Sequence, residues 1–255
     1  MKKIISFSLW GNMRLYCIGA IKNALLAKKY FPEWICRYYY DESVPKIIIE
    51  YLNSLDNVEL KYMDLPSGAK YYKQNGQYGM FWRFYPFNDN DVEVWMARDT
   101  DSRISEHEAK KIDDFLESDK ILHTFSNLNE KLCRGCGVSF RNYINNNNTR
   151  IFNNNQLNLD VLLKDQDKIN CKFYDDENFL NNILFPYFKN FYLRSERFPT
   201  NKKFYNNLTG NFIGEVLDEY DKNIDKNKDN SFNLKNNYDD LYILLDNYKL
   251  KLANL

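Results

Sequence analysis

The first hundred residues alternate between two hydrophobic periods, and that alternation narrows the fold more than any other feature. Residues 3–9, KIISFSL, form a short apolar run that ends at the breaker WGN. The stretch RLYCIGAIKNALLAKKYF then repeats apolar residues at helical spacing, through Leu15, Ile18, Ile21, Leu25 and Leu26. Pro32 closes it. WICRYYY reads as a second strand, PKIIIEYLNSL as a second helix and VELKYM as a third strand. The glycine-containing PSGAKYYKQNGQYG reads as a loop, MFWRFYPF as a helix as far as Pro86, and VEVWMA as a fourth strand. Strand and helix in this order predict a Rossmann-like α/β fold, an open and mostly parallel sheet with helices on both faces. Ligands of such sheets bind beyond the carboxyl ends of the strands.

The fourth strand delivers two acids to such an end. In VWMARDTDSR, Asp99 and Asp101 sit two residues apart, and two carboxylates that close repel each other unless a cation intervenes. Carboxylate oxygens are the ligands of Mg2+ and Mn2+, and such an ion can hold a diphosphate and stabilise it as a leaving group. Arg98 and Arg103 flank the pair and are candidates for further positive charge near phosphates. The plainer reading has Asp99 capping the turn and Asp101 capping a helix that begins near Ser105.

Further along, EAKKIDDFLES predicts a helix, KILHTF a strand, LCRGCGVSF a glycine-containing loop and LDVLLKDQ a short helix. DDENFLNNILFPYF predicts a helix that opens on Asp175, Asp176 and Glu177. Free amides at a helix start favour an acid there, but three in a row exceed what a cap requires. Past residue 220 the polar DKNIDKNKDNSFNLKNN has no core-forming pattern, and YDDLYILLDNYKLKL then regains helical spacing. Three parts follow: a domain over 1–220, a polar linker over 221–237 and a C-terminal helix over 238–255. That helix is open to three uses: a clamp on the domain, a homodimer contact or a surface anchor.

Composition limits the partners. Lys plus Arg and Asp plus Glu balance at 35 each, without the basic excess of a nucleic-acid binder. Five scattered cysteines make no disulfide scaffold and suit a reducing compartment. The opening MKKIISFSLWGNMR superficially resembles a signal peptide, but Gly11, Asn12 and Arg14 interrupt it. No run is long enough for a transmembrane segment, so a cytoplasmic protein is expected. Cys133-x-x-Cys136 lacks two further zinc ligands at suitable spacing, since His107 and His123 are unpaired in sequence; these read as loop cysteines. Asn-x-Thr triplets at Asn147 and Asn207 carry little weight in a chain this rich in Asn.

YGMFWRFYPFNDNDVEVWMARDTDSRIS resembles a family of GT-A glycosyltransferases found in large DNA viruses and some bacteria, with its G-M-x-W-R-F-x-P block and R-D-x-D-S-R motif. YDDENFLNNILFP and FPTNKKFYNNLTGNFIGEVLD follow in the family's order, so the resemblance covers roughly residues 4 to 220. It implies a GT-A fold and a hexosyl- or deoxyhexosyltransferase. The donor would be a nucleotide-sugar, a UDP-sugar favoured, and the acceptor a glycan or glycoprotein. Asp99 and Asp101 would bind Mn2+ or Mg2+ and, with Thr100 between them, the ribose and diphosphate. Phe7, Ser8 and Leu9 would face the base with Tyr16 nearby, and Arg83 would reach donor phosphate or sugar. Asp176 would be the general base of an inverting reaction, with Asp175 and Glu177 behind it. Trp82 and Phe81 read as core. His123, Gly135 and Gly137 would stand on the acceptor side, where the family's Gly-Gly-Met-Trp-Gly loop has become Cys-Arg-Gly-Cys-Gly. A viral member would work in the host cytoplasm. Two other readings stand beside this one. A haloacid-dehalogenase-like phosphatase also ends a strand in Asp-x-Asp, but near its N-terminus and with a downstream Lys and Gly-Asp-x-x-x-Asp that do not appear here. A non-catalytic sugar-binding protein could use the same fold.

Overall fold

The computed structural model describes residues 1–64, 78–127, 130–134, 137–144, 149–150, 175–198, 210, 212–224 and 237–255. The expected alternation is present. Strand β1 (Lys2–Leu9) leads to α1 (Arg14–Tyr30), β2 (Ile35–Tyr40), α2 (Lys46–Asn53) and β3 (Val58–Tyr62). A 3-10 helix (Tyr78–Asn88) precedes β4 (Val92–Arg98), which is followed by α3 (Glu106–Glu117) and β5 (Leu122–Phe125). Then come β6 (Val138–Arg141) and a small hairpin of β7 (Tyr143–Ile144) and β8 (Thr149–Arg150). After α4 (Asp175–Phe179), a π-helical turn (Leu180–Leu184) and α5 (Phe185–Phe188), the chain forms β9 (Tyr192–Ser195) and α6 (Leu241–Ala253).

Seven strands form one sheet in the order β3-β2-β1-β4-β6-β5-β9. Only β6 runs against the others. The chain leaves β1 towards β2 and β3 on one side and returns to β4 on the other. That reversal opens a crevice beyond the carboxyl ends of β1 and β4, the position where open α/β sheets bind ligands.

Side chains alternate across the sheet and separate two cores. Ile5, Phe7, Val94 and Met96 face α1, α2 and α6; Ile4, Trp95 and Ala97 face the other side. The second core explains the 3-10 helix. Phe81, Phe84 and Phe87 recur every third residue, the spacing that eclipses side chains in a helix of three residues per turn, and all three are buried there. Phe84 stacks on Phe179 of α4 at 6.2 Å, and Trp95 stacks on Phe140 of β6 at 4.9 Å. This packing brings the 3-10 helix and α4 together over β4. Trp82 and Phe81 are buried, as their core reading expects.

Several local expectations differ from what is seen. The 3-10 helix continues through Pro86 to Asn88. The glycine-containing LCRGCGVSF includes β6, because Gly137 lets two strands approach closely: a Cβ there would lie 3.2 Å from Phe125. YLRS forms β9. The long helix from Asp175 is interrupted, with Phe185 N–H bonding back five residues to Leu180 and Pro186 unable to donate at all. The residues 221–224, expected as the start of a linker, are tied to the domain through the buried side chain of Asp221. The helix expected over LDVLLKDQ lies outside the described residues, as do Cys171, Asn147 and the Asn207 triplet. Among the described residues, no helix is long and apolar enough to cross a membrane.

Candidate functional site

The Asp99–Arg103 turn leaves β4 directly over α1, and the sequence of α1 accommodates it. Gly19 removes the side chain where the turn comes closest; a Cβ there would sit 2.1 Å from the Thr100 carbonyl oxygen. One turn later Asn23, fully buried, donates to the carbonyls of Thr100 (3.3 Å) and Ser102 (2.7 Å) and accepts from Ile104 N–H (3.1 Å). The two residues act as a seat and a clasp for the turn. A glycine inside a helix costs about 1 kcal/mol relative to alanine, and here the cost has a visible reason.

Asp99 and Asp101 are oriented by this arrangement. The helix α3 is capped by Ser105, whose hydroxyl accepts from Glu108 N–H at 3.2 Å, so the capping reading of Asp101 does not hold. Both carboxylates act on the Tyr16 phenol, whose pKa is pushed up by burial first and then by Asp101 and Asp99. Tyr16 therefore stands within electrostatic reach of both acids.

A positive group on Asp99 comes from the 3-10 helix. Arg83 pairs through one terminal nitrogen with Asp99 and through the other with Asp176 of α4, the latter at 2.5 Å. Its backbone N–H donates to the Ser8 hydroxyl at 2.9 Å, which ties it to the end of β1. Four separate segments thus converge: the ends of β1 and β4, the 3-10 helix and the start of α4. Glu177 joins them. Burial raises its pKa, Asp176 and Asp99 add to the rise, and Arg134 and Lys131, 4.0 and 3.8 Å away, oppose it. Asp175 is the most exposed of the three acids.

Other expected site residues stand elsewhere. Phe7 and Leu9 are in the core, Phe7 stacked on Tyr38 at 4.8 Å, so of the three β1 residues only Ser8 meets the site. Arg98 is buried against Glu108 and the carbonyls of Ala97 and Val138. Arg103 is buried on Thr100 O, Asp218 O and Asp221. Arg103 thus braces the turn, while Arg98 ties β4 to β6 and α3. His123 is fully buried between Phe115 and Phe125, its pKa driven down to about 3 by burial and by Arg98 and Lys111. It bonds Ser195 at 2.9 Å. Gly137 serves strand packing, and Gly135 lies outside the described residues.

Asn181, in the π-helical turn, accepts from Cys133 N–H (3.0 Å) and donates to Cys133 O (2.7 Å) and Glu177 O (2.7 Å). It fixes the Cys133–Arg134 loop beside Glu177. Cys133 is buried, its thiol pushed up to about 12, so it is an inert packing group. Among the described residues, no group of three or more His, Cys, Asp or Glu gathers as a metal cage. Sequence reasoning missed Gly19, Asn23, Asn181 and Asp221. A helix-interior glycine followed four residues later by Asn in an apolar stripe was a readable signal for the first two.

No family model and no curated protein matches the chain. Among solved structures it is similar to a glycosyltransferase involved in the glycosylation of the major capsid of PBCV-1, at 12% identity and a TM-score of 0.44 over 78% of this chain and 82% of that one. It is similar to 4-diphosphocytidyl-2C-methyl-D-erythritol synthase from Anaerococcus prevotii, at 12% identity and a TM-score of 0.42 over 77% of this chain and 86% of that one. It is also similar to residues 1–349 of TarS from S. aureus, at 16% identity and a TM-score of 0.34 over 52% of this chain and 38% of that one. These are likenesses of fold and assign no residue a role.

Proposed function

We propose that the chain is a GT-A-type glycosyltransferase that moves a sugar from a nucleotide-sugar, a UDP-sugar by preference, to a hydroxyl of a glycan or glycoprotein acceptor, with inversion. The observation that carries this reading is the Arg83 bridge between Asp99 and Asp176, which gathers an Asp-x-Asp turn and a second acidic cluster at the crevice between β1 and β4. Asp99 and Asp101 would hold Mg2+ or Mn2+. Their hard oxygens suit either ion, and with only two protein carboxylates the remaining positions fall to diphosphate and water. When bound, the ion would neutralise charge on the departing nucleoside diphosphate.

The protein's own groups divide the remaining work. Asp176 is engaged by Arg83, so we assign the base to Glu177 instead of Asp176. Its carboxylate takes the proton of the acceptor hydroxyl; the oxygen forms a bond to the anomeric carbon as the bond to diphosphate breaks. A raised pKa brings that carboxylate nearer working pH. Arg83, with one nitrogen on each acid, sets the distance between donor and acceptor sides.

Thermal unfolding with UDP-, GDP- and CMP-sugars, with and without Mn2+, tests the proposal on the wild type and Asp101→Asn. Ligands that bind only the folded state raise the midpoint. A metal-dependent rise with one nucleotide, lost in the variant, is expected. No rise with any donor, or one indifferent to Asp101, overturns the reading.

A further inference from the structure

The turn that carries Asp99 and Asp101 is gripped from behind by a segment more than a hundred residues further along the chain. Leu217 N–H donates to the Asp101 carbonyl at 2.8 Å. Arg103, in the turn, donates to Thr100 O at 3.1 Å, Asp218 O at 2.9 Å and the Asp221 carboxylate at 3.2 Å. The same carboxylate holds the Lys22 ammonium of α1 at 2.5 Å, and that ammonium also donates to Glu219 O at 2.8 Å. Over it lies the Tyr248 ring of α6, 4.4 Å from the nitrogen.

One carboxylate therefore compensates two cations, and all three side chains are at most 5% exposed. Buried charges of this kind are tolerated only when paired. Asp221 also holds φ at 64°, in the left-handed region, which non-glycine residues occupy at some cost when their surroundings require it. Its carboxylate meets both cations in that conformation.

We propose that Asp221 is a positioning residue for the Asp99–Asp101 turn, coupling α1, the 217–221 strap and α6 to the place where the acids stand. It rests on the reading of that turn as the donor-binding element, and Asp221 touches neither the acids' side chains nor a donor. The strap fixes the height of Asp101 over α1 through Leu217 and Arg103, and Asp221 fixes the strap. Donor affinity accordingly depends on a residue that lies beyond the expected catalytic domain.

The test uses the full chain with Asp221→Asn and, as a control in the same strap, Glu219→Gln, which loses an ion pair to Arg14 but not the link to the turn. Two quantities are measured: amide exchange at Leu217 without ligand, and the Kd and stoichiometry for UDP with Mn2+. Asp221→Asn is expected to speed exchange at Leu217 at least tenfold and weaken Kd at least tenfold with stoichiometry unchanged. Glu219→Gln stays within twofold of wild type in both. A merely destabilised protein would lose binding-competent fraction, not affinity. Unchanged exchange, or unchanged Kd beside faster exchange, overturns the proposal. If Asp221→Asn does not fold, Arg103→Lys, which leaves Asp221 paired with Lys22, is held to the same outcomes. Wild-type protein that binds no UDP with Mn2+ counts against the donor reading, and exchange at Leu217 then decides alone whether the strap holds the turn.

Discussion

Arg83 reaches Asp176 across 93 positions of sequence and, with its other terminal nitrogen, holds Asp99. Lysine cannot serve two carboxylates in that planar fork. Arg83→Lys is expected to leave the fold intact and lower transfer by about two orders of magnitude, a loss typical of one electrostatic group in an active site. Steady-state kinetics beside a thermal melt check it; activity within threefold of wild type would remove Arg83 from the mechanism.

Gly19→Ala places a methyl group 2.1 Å from the Thr100 oxygen, so the turn or the helix must move. Overpacking of this kind costs about 1–3 kcal/mol. The variant should melt earlier and bind nucleotide with Mn2+ more weakly, both measurable by calorimetry. A neutral result would mean the turn yields freely, which contradicts its role as a fixed seat.

The assignment of the base to Glu177 is tested by pH. Burial raises Glu177, so the acidic limb of kcat/KM should lie above the ordinary glutamate range and vanish in Glu177→Gln, with kcat down about 10²–10⁴-fold. Asp176→Asn should mainly destabilise, because Arg83 loses a buried partner. A limb that survives Glu177→Gln and disappears in Asp176→Asn would reverse the assignment.

His123 predicts acid sensitivity. Its folded-state pKa of about 3 lies below the unfolded value of about 6.5, so the unfolded chain takes up the proton first. Stability contributed by the neutral ring is complete above about pH 6.5 and is lost as pH falls towards 3. Denaturant titrations should show the wild type losing up to about 1.4 kcal/mol per pH unit more than His123→Asn across that window. Parallel pH profiles would show that the ring is protonated without unfolding.

The parallel half of the sheet was legible because each strand and helix there is a continuous apolar pattern. What escaped was short or held by single side chains. β6 lies behind glycines that mimic a loop, and β9 is four residues with no alternation. At the site, Asp99, Asp101, Arg83, Ser8, Tyr16 and the Asp176–Glu177 pair were named from sequence and meet in space. Phe7, Leu9 and His123 were implied by the family resemblance and Arg98 and Arg103 by flanking the two acids, yet side chains at and around strand ends turn inward as often as outward. Sequence places a residue at an edge but leaves the face to packing, which is why Phe7 went to Tyr38 and Arg98 to Glu108.

The helix made early in synthesis is covered by one made much later. Arg14 at the start of α1 bonds Asp240, 226 positions on, and Leu241, Leu245 and Tyr248 of α6 join its core. Until those residues leave the ribosome, α1 presents an uncovered apolar flank, and Lys22 and Arg103 lack the carboxylate that balances them. Long-range closure of this kind is slow relative to local helix formation. Docking of the 217–221 segment and α6 thus covers α1 and balances its buried charges, and a nascent chain stalled before it carries the acids of the crevice on an unbraced turn.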